Sequence, residues 1–209
     1  KINSLTFKPS LIHRIDRDTS GVLMIAKKKD ILSRLVNDFK SHEKVKKTYY
    51  AIVLWKLSRE SGTITKKLLR IENAKNEAKV QVSESGQTAI SHYKKIGEHR
   101  VKWPQWDLIL SEVEVQIETG RMHQIRVHLQ CLKAPIVCDP TYGGDYIYLS
   151  ELKRKFNLKK DTTELPLIKR VALHAHGIRF RLLSEEEITV VAPYPKDFEV
   201  LIKQLDKTM

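Results

Sequence analysis

Between Gly21 and Lys27 the chain runs Val22, Leu23, Met24, Ile25 and Ala26 without a polar break. A short apolar run bounded by a glycine and by lysines predicts a strand buried on both faces. From Asp30 the pattern changes to Ile31, Leu32, Leu35, Val36 and Phe39, a spacing near 3.6 that predicts an amphipathic helix capped by Asp30. In Tyr49–Trp55, Tyr49, Ala51, Val53 and Trp55 share one face and Tyr50, Ile52 and Leu54 the other. With both faces apolar or aromatic, this predicts a central strand. Polar hairpins at the rim are expected from Leu57 to Gly86, with a turn over 59–62, a short strand over 63–69 and a loop over 72–79. Longer strands are expected over 88–96 and 108–117. The alternation of the second slips at Ser111, which predicts a bulge there.

Residues 99–106, with Pro104, Trp103 and Trp106, are expected as a loop whose tryptophans either seal the core or stack on bases. Met122, Ile125, Leu129 and Leu132 then take helical spacing, with Gly120 as a tight turn before them and Pro135 beyond the stop. The basic segment 151–160 is either a solvated helix face or an RNA contact. A strand from Leu173 to Leu182, an apolar strand over 188–192 and a helix from Asp197 complete the chain. An extended lead-in is expected over 1–12. The elements predict an α+β fold.

The formal charge of +13, from 38 Lys and Arg against 25 Asp and Glu, points to a polyanionic partner, either nucleic acid or an acidic membrane surface. No run reaches the roughly 20 apolar residues of a membrane span. No secretory signal is visible, and Cys131 and Cys138 form no disulfide framework, so a cytoplasmic setting is expected. The 209 residues suffice for one well-buried domain. The first residue is Lys1, not Met, so a domain truncated at its N-terminus is expected, with any upstream RNA-binding domain absent.

Asp16, Asp18, Thr19 and Ser20 lie at the mouth of the first predicted strand, where a scaffold can hold a reactive carboxylate rigidly and leave it reachable. Taken alone, these residues are also what a polar turn is made of. His123 and His128, like His174 and His176, lack the companions of a zinc site, and no metal is expected. The His-x-Glu and Pro-Cys-x-x-Cys elements of zinc base deaminases are missing.

The stretch His13–Gly21, HRIDRDTSG, resembles the catalytic motif of the RluA-type pseudouridine synthases: His-Arg-Leu-Asp, two variable positions, then Thr-Ser-Gly. Ile15 stands where the family has Leu. Thr119 to His128, TGRMHQIRVH, matches every fixed position of a second family motif. Cys138 to Gly144 resembles the Gly-Asp-x-x-Tyr-Gly turn, with Cys138 where Gly is usual. Leu173, His174 and Ala175 match a Leu-His-Ala element, and Lys47 and Tyr49 a Lys-x-Tyr element. Ser91 occupies a position that is often Thr, and the family's upstream Lys-Pro-x-Gly strand is not recognisable. Several motifs in family order are far more specific than one.

The resemblance implies a single domain with a mixed, largely antiparallel β-sheet and packed helices, and isomerisation of uridine to pseudouridine in RNA, ribosomal or transfer, without cofactor or metal; a monomer is expected. Large-subunit ribosomal RNA is the nearest substrate class. It implies Asp16 as the catalytic carboxylate and Arg126 as the cation that holds it ionised. Tyr49 would stack on the flipped uracil, or serve only as a core tyrosine, and Leu173 would form the other apolar wall. Arg14, Arg121 and Lys47 are assigned to the RNA; Arg14 either fills the gap left by the flipped base or contacts a phosphate. The contrasting expectation is a non-catalytic RNA-binding or ribosome-assembly protein on the same scaffold.

Overall fold

β-Branched and aromatic residues give Lys46–Leu54 (β4) the middle of a wide sheet in the computed structural model, which describes residues 7–41, 44–72, 78–102, 107–153, 156–158, 161–182 and 184–208. The other strands, in chain order, are Ser10–Leu11 (β1), Ser20–Gly21 (β2), Ile25–Ala26 (β3), Ser61–Glu72 (β5), Ala78–Val82 (β6), Gln87–Lys102 (β7), Asp107–Ile117 (β8), Leu173–Arg181 (β9) and Glu187–Val191 (β10). Helices are Lys29–Lys40 (α1), Gln124–Cys131 (α2), Leu149–Leu152 (α3) and Lys196–Asp206 (α4), with a 3-10 turn at Pro140–Tyr142. The main sheet has the order β10-β9-β4-β8-β7-β5-β6, every neighbour antiparallel. β2 joins β9 in parallel, and β1 and β3 form a separate two-stranded ribbon. This is the α+β arrangement that the pattern predicts, with the largely antiparallel sheet that the resemblance implies.

Helices cover both faces of β4 and its neighbours. One face carries Tyr49, Ala51, Val113 and Val115 and receives α2 through Ile125 and Leu129. On the other, His99 and His174 meet α4, whose Phe198, Leu201 and Leu205 are fully buried. Burying three such side chains stabilises the packing by roughly 1.5–3 kcal/mol each. Among the described residues no helix is long and apolar enough to cross a membrane.

Several local expectations are corrected. The run 22–26 is not buried on both faces: Ala26 is 2% exposed, but Leu23 and Ile25 are 43% and 56% exposed. Only Ile25 and Ala26 pair as strand, against β1 in a two-stranded ribbon, so alternate side chains face outward. Asp30 is not the cap of α1; Lys28 holds that position, and Asp30 lies in the first turn, where its charge complements the helix dipole.

The strand β4 ends at Leu54, and Trp55 turns away with φ 74°. The register shift expected at Ser111 lies across the pair, in β7 between Lys95 and Gly97. β8 itself runs unbroken there, and its pattern slips because Leu110 and Ser111, on opposite faces, are both fully buried. β7 extends to Lys102, into the segment expected as loop, and β5 outruns its predicted limits. Gly120 has no positive φ; the left-handed residue that turns the chain into α2 is His123, at φ 51°. Trp103 and Trp106 lie outside the described residues, as do Arg154, Lys155, Lys159 and Lys160 of the basic segment.

Candidate active site

The chain carrying Asp16 is a polar turn held at both ends. Inside it, the Thr19 amide donates to the Asp16 carbonyl at 3.0 Å. Downstream, Ser20 and Gly21 pair with His174 and Ala175 of β9, and the Ser20 hydroxyl lies 2.9 Å from His174 Nδ1. Gly21 has φ 122°, and a Cβ there would sit 2.1 Å from the Ala175 carbonyl oxygen. Only glycine lets the turn lie this close to the strand. Upstream, His13 stacks on Phe39 at 5.0 Å and accepts the Met24 amide at Nε2, 3.1 Å away. Burial, helped by the Lys47 charge, lowers the His13 pKa, which keeps that nitrogen an acceptor.

Opposite this turn, α2 presents Arg126. Its Nε and Nη2 donate to Asp139 Oδ2 and Oδ1, both at 2.7 Å, and Nη1 lies 3.9 Å from Asp16 Oδ2. The guanidinium also lies over the Tyr142 ring, 4.9 Å from its centre. Burial acts to lower the Arg126 pKa, but the hydrogen bonds and charge of Asp139, with Asp16 adding to them, more than offset it and raise the value. A permanent cation therefore stands beside Asp16. The expected clamp is corrected in one respect: the rigid fork of Arg126 is bonded to Asp139, and Asp16 receives the remaining nitrogen at a longer distance.

Tyr142 ties this cation to the rest of the site. Its hydroxyl accepts the Val80 amide at 3.0 Å and lies 2.8 Å from His123 Nδ1. Burial and the nearby Arg126 charge lower the His123 pKa, although Asp16 and Asp139 pull the other way. A neutral His123 can accept the Tyr142 proton at Nδ1. The turn before α2 is fixed by Gln124: its Oε1 accepts Thr119 Oγ1 at 2.7 Å and the Arg121 amide at 3.0 Å, and its Nε2 donates to the Ile90 carbonyl and Ser91 Oγ. Nearly all of its hydrogen-bonding capacity is used inside the protein.

Between the two motifs lies a cavity of about 310 Å³ whose lining includes Asp16, Tyr49, Leu173, Arg14, Arg121 and His123. Tyr49 and Leu173 share one sheet face, since Tyr49 pairs with Ala175 and Ala51 with Leu173. Burial, with the Asp16 charge added, raises the Tyr49 pKa, so the phenol stays protonated. Arg14 and Arg121 are exposed, and Arg121 Nε donates to the Thr88 carbonyl at 3.2 Å. The cavity thus joins a reachable carboxylate, a neighbouring fixed cation, apolar walls and two exposed guanidinium groups. Such a set can attack, or take a proton from, a flat polar ring while holding an attached phosphate chain.

Six of the seven residues singled out from the sequence meet here: Asp16, Tyr49, Leu173, Arg14 and Arg121 line the cavity, and Arg126 reaches Asp16 without lining it. Lys47 departs from expectation. It is 7% exposed, its Nζ lies 5.6 Å from the Phe39 ring centre, and burial lowers its pKa. This is not the exposed position expected of an RNA contact. Asp139 and Tyr142 were legible only as a turn. The signal that would have found Asp139 is the need of a buried arginine for a carboxylate partner.

Another cluster escaped the sequence. His99, Glu112 and Asp206 bring ligand-type atoms within 4.8 Å of one another, with His99 Nε2 2.6 Å from Glu112 Oε1. That contact is a hydrogen bond, too short to admit an ion between the two atoms. The cluster docks α4 on the sheet and lies at the far end of β7 from Gln87 of the cavity.

Comparison with known proteins agrees with this geometry. The family model described as RNA pseudouridylate synthase matches residues 3–131, a span holding both the Asp16 turn and the Arg126 helix. The chain is 35% identical over 191 residues to an uncharacterized RNA pseudouridine synthase of Zymomonas mobilis, covering 91% of this chain and 75% of the relative. It is 37% identical to the ribosomal large subunit pseudouridine synthase C of Buchnera aphidicola, covering 93% of this chain and 56% of that one. For the ribosomal large subunit pseudouridine synthase D of Xanthomonas campestris the figures are 33%, 98% and 60%. The chain thus spans little more than half the length of the latter two. The solved structure of human RNA pseudouridylate synthase domain containing 1 superposes with a TM-score of 0.65 at 26% identity, over 90% of this chain and 70% of that one. The chain belongs to the RNA pseudouridylate synthase family.

Proposed function

We propose that this protein converts uridine to pseudouridine in RNA, with Asp16 as the carboxylate that acts on the nucleoside. The observation that carries this is the position of Asp16: at the mouth of a cavity walled by Tyr49 and Leu173, with Arg126 Nη1 3.9 Å away. The target uridine leaves its stack and enters the cavity. Unstacking costs a few kcal/mol, which contact with Tyr49 and Leu173 offsets, while Arg14 and Arg121 hold the backbone. Asp16 then attacks the base or the sugar, or removes a sugar proton, so that the glycosidic bond breaks, the uracil turns and C5 bonds to the sugar in place of N1; C5 loses its proton to solvent and N1 gains one. Arg126 keeps its positive charge 3.9 Å from this carboxylate.

Two relatives are named for the large ribosomal subunit, which supports ribosomal RNA as the substrate and the cytoplasm as the place of action. A monomer suffices for this chemistry, since Asp16, Arg126 and the cavity walls belong to one chain. Tritium release from transcribed large-subunit ribosomal RNA carrying 5-tritiated uridine tests the activity. Wild type should release label and Asp16→Asn should not. If both are silent while RNA still binds, the protein is an RNA-binding module and the proposal fails.

A further inference from the structure

A second cavity, of about 360 Å³, opens beside the first and shares three residues with it: Gln87, Arg121 and Met122. Its floor is made by Leu68 and Val80, which are buried in the cluster that also seats Tyr142. Arg70 stands exposed at its rim. Among the described residues no carboxylate lines it. By contrast, the cavity beside α1 pairs its cations with carboxylates, Arg34 and Lys44 with Asp38, Arg179 with Glu187 and Arg181 with Glu185.

Resting on the function proposed above, we propose that this second cavity receives the base of the nucleotide next to the target uridine. An apolar floor suits any base face, and stacking of this kind needs no hydrogen-bond readout. Arg121 stands at the boundary of the two cavities, where the phosphate linking the two nucleotides must pass. Its Nε is bonded to the Thr88 carbonyl, which fixes the guanidinium at that place. The floor is firm because the Val80 amide donates to the Tyr142 hydroxyl. The second cavity therefore contributes to choosing the RNA strand, and the first to the chemistry.

Ser85→Trp fills the cavity from an exposed turn, and Arg70→Ala removes its rim cation. With the labelled ribosomal transcript, each should raise KM, Ser85→Trp by about tenfold, the scale of one lost base contact, while kcat stays within twofold. Once the modified uridine is mapped, transcripts with an abasic residue on its 5′ or 3′ side are assembled by splint ligation. One of the two should weaken wild type to a similar extent and leave Ser85→Trp no weaker than it already is. Wild-type KM in both variants, full activity on both abasic transcripts, or additive losses would overturn the subsite. Absence of label release by wild type on the intact transcript would instead overturn the catalytic function, and the subsite with it.

Discussion

Arg126 and Asp139 face each other through two parallel hydrogen bonds of 2.7 Å, and Asp139 is fully buried. Asp16 meets the same arginine at 3.9 Å and remains partly open to solvent. Two carboxylates thus share one cation with different duties: Asp139 sets where the guanidinium stands, and Asp16 uses its field.

The two aspartates are separable by mutation. Asp139→Ala leaves a buried guanidinium without its hydrogen-bonded carboxylate, Asp16 staying 3.9 Å away, and should destabilise the fold by about 3 kcal/mol. Asp16→Asn should change stability by less than about 1 kcal/mol, the scale of an exposed ion pair, yet abolish label release. Urea unfolding of the two variants checks the contrast, and equal losses of stability would contradict it.

Gly21 is where the turn carrying Asp16 touches β9. Gly21→Ala drives a methyl group to 2.1 Å from the Ala175 carbonyl oxygen at a backbone angle that alanine rarely adopts. The turn must lift, with a stability loss of at least about 2 kcal/mol. Because the same turn carries Asp16, kcat should fall far more than substrate affinity. Single-turnover label release measured against RNA binding separates the two.

His128 makes the fold sensitive to acid. Burial, with the Lys66 charge adding, pushes its pKa down to about 4. Nδ1 lies 2.9 Å from Ser91 Oγ, while the buried Nε2 has no partner for a second proton. The unfolded chain binds a proton near pH 6.5 and the folded chain only near 4. Stability is therefore fully present above about 6.5 and declines as the pH falls towards 4, by about 2–3 kcal/mol from this residue. His128→Asn can keep the bond to Ser91 and cannot titrate, so its unfolding midpoint should fall less between pH 6.5 and 4. A smaller slope remains from His13, His123 and His174, whose pKa values are lowered in the same direction.

The sequence by itself named six of the residues that meet at the candidate site. HRIDRDTSG, TGRMHQIRVH and Leu173–Ala175 carry enough identity to name Asp16, Arg126 and Leu173 before any coordinates. The periodicity of β4 and of both long amphipathic helices is likewise local, because side-chain spacing follows directly from backbone geometry. Tertiary structure decided which groups pair. Nothing within one segment tells that Asp139 takes the fork of Arg126, that Lys47 points into a buried place, or that Leu23 and Ile25 face water. Each of these depends on which other element arrives at that point, and the same residue types are compatible with either outcome until the sheet closes. The second cavity is of the same kind, since Leu68, Val80 and Met122 come together only when β5, β6 and the turn before α2 are in place.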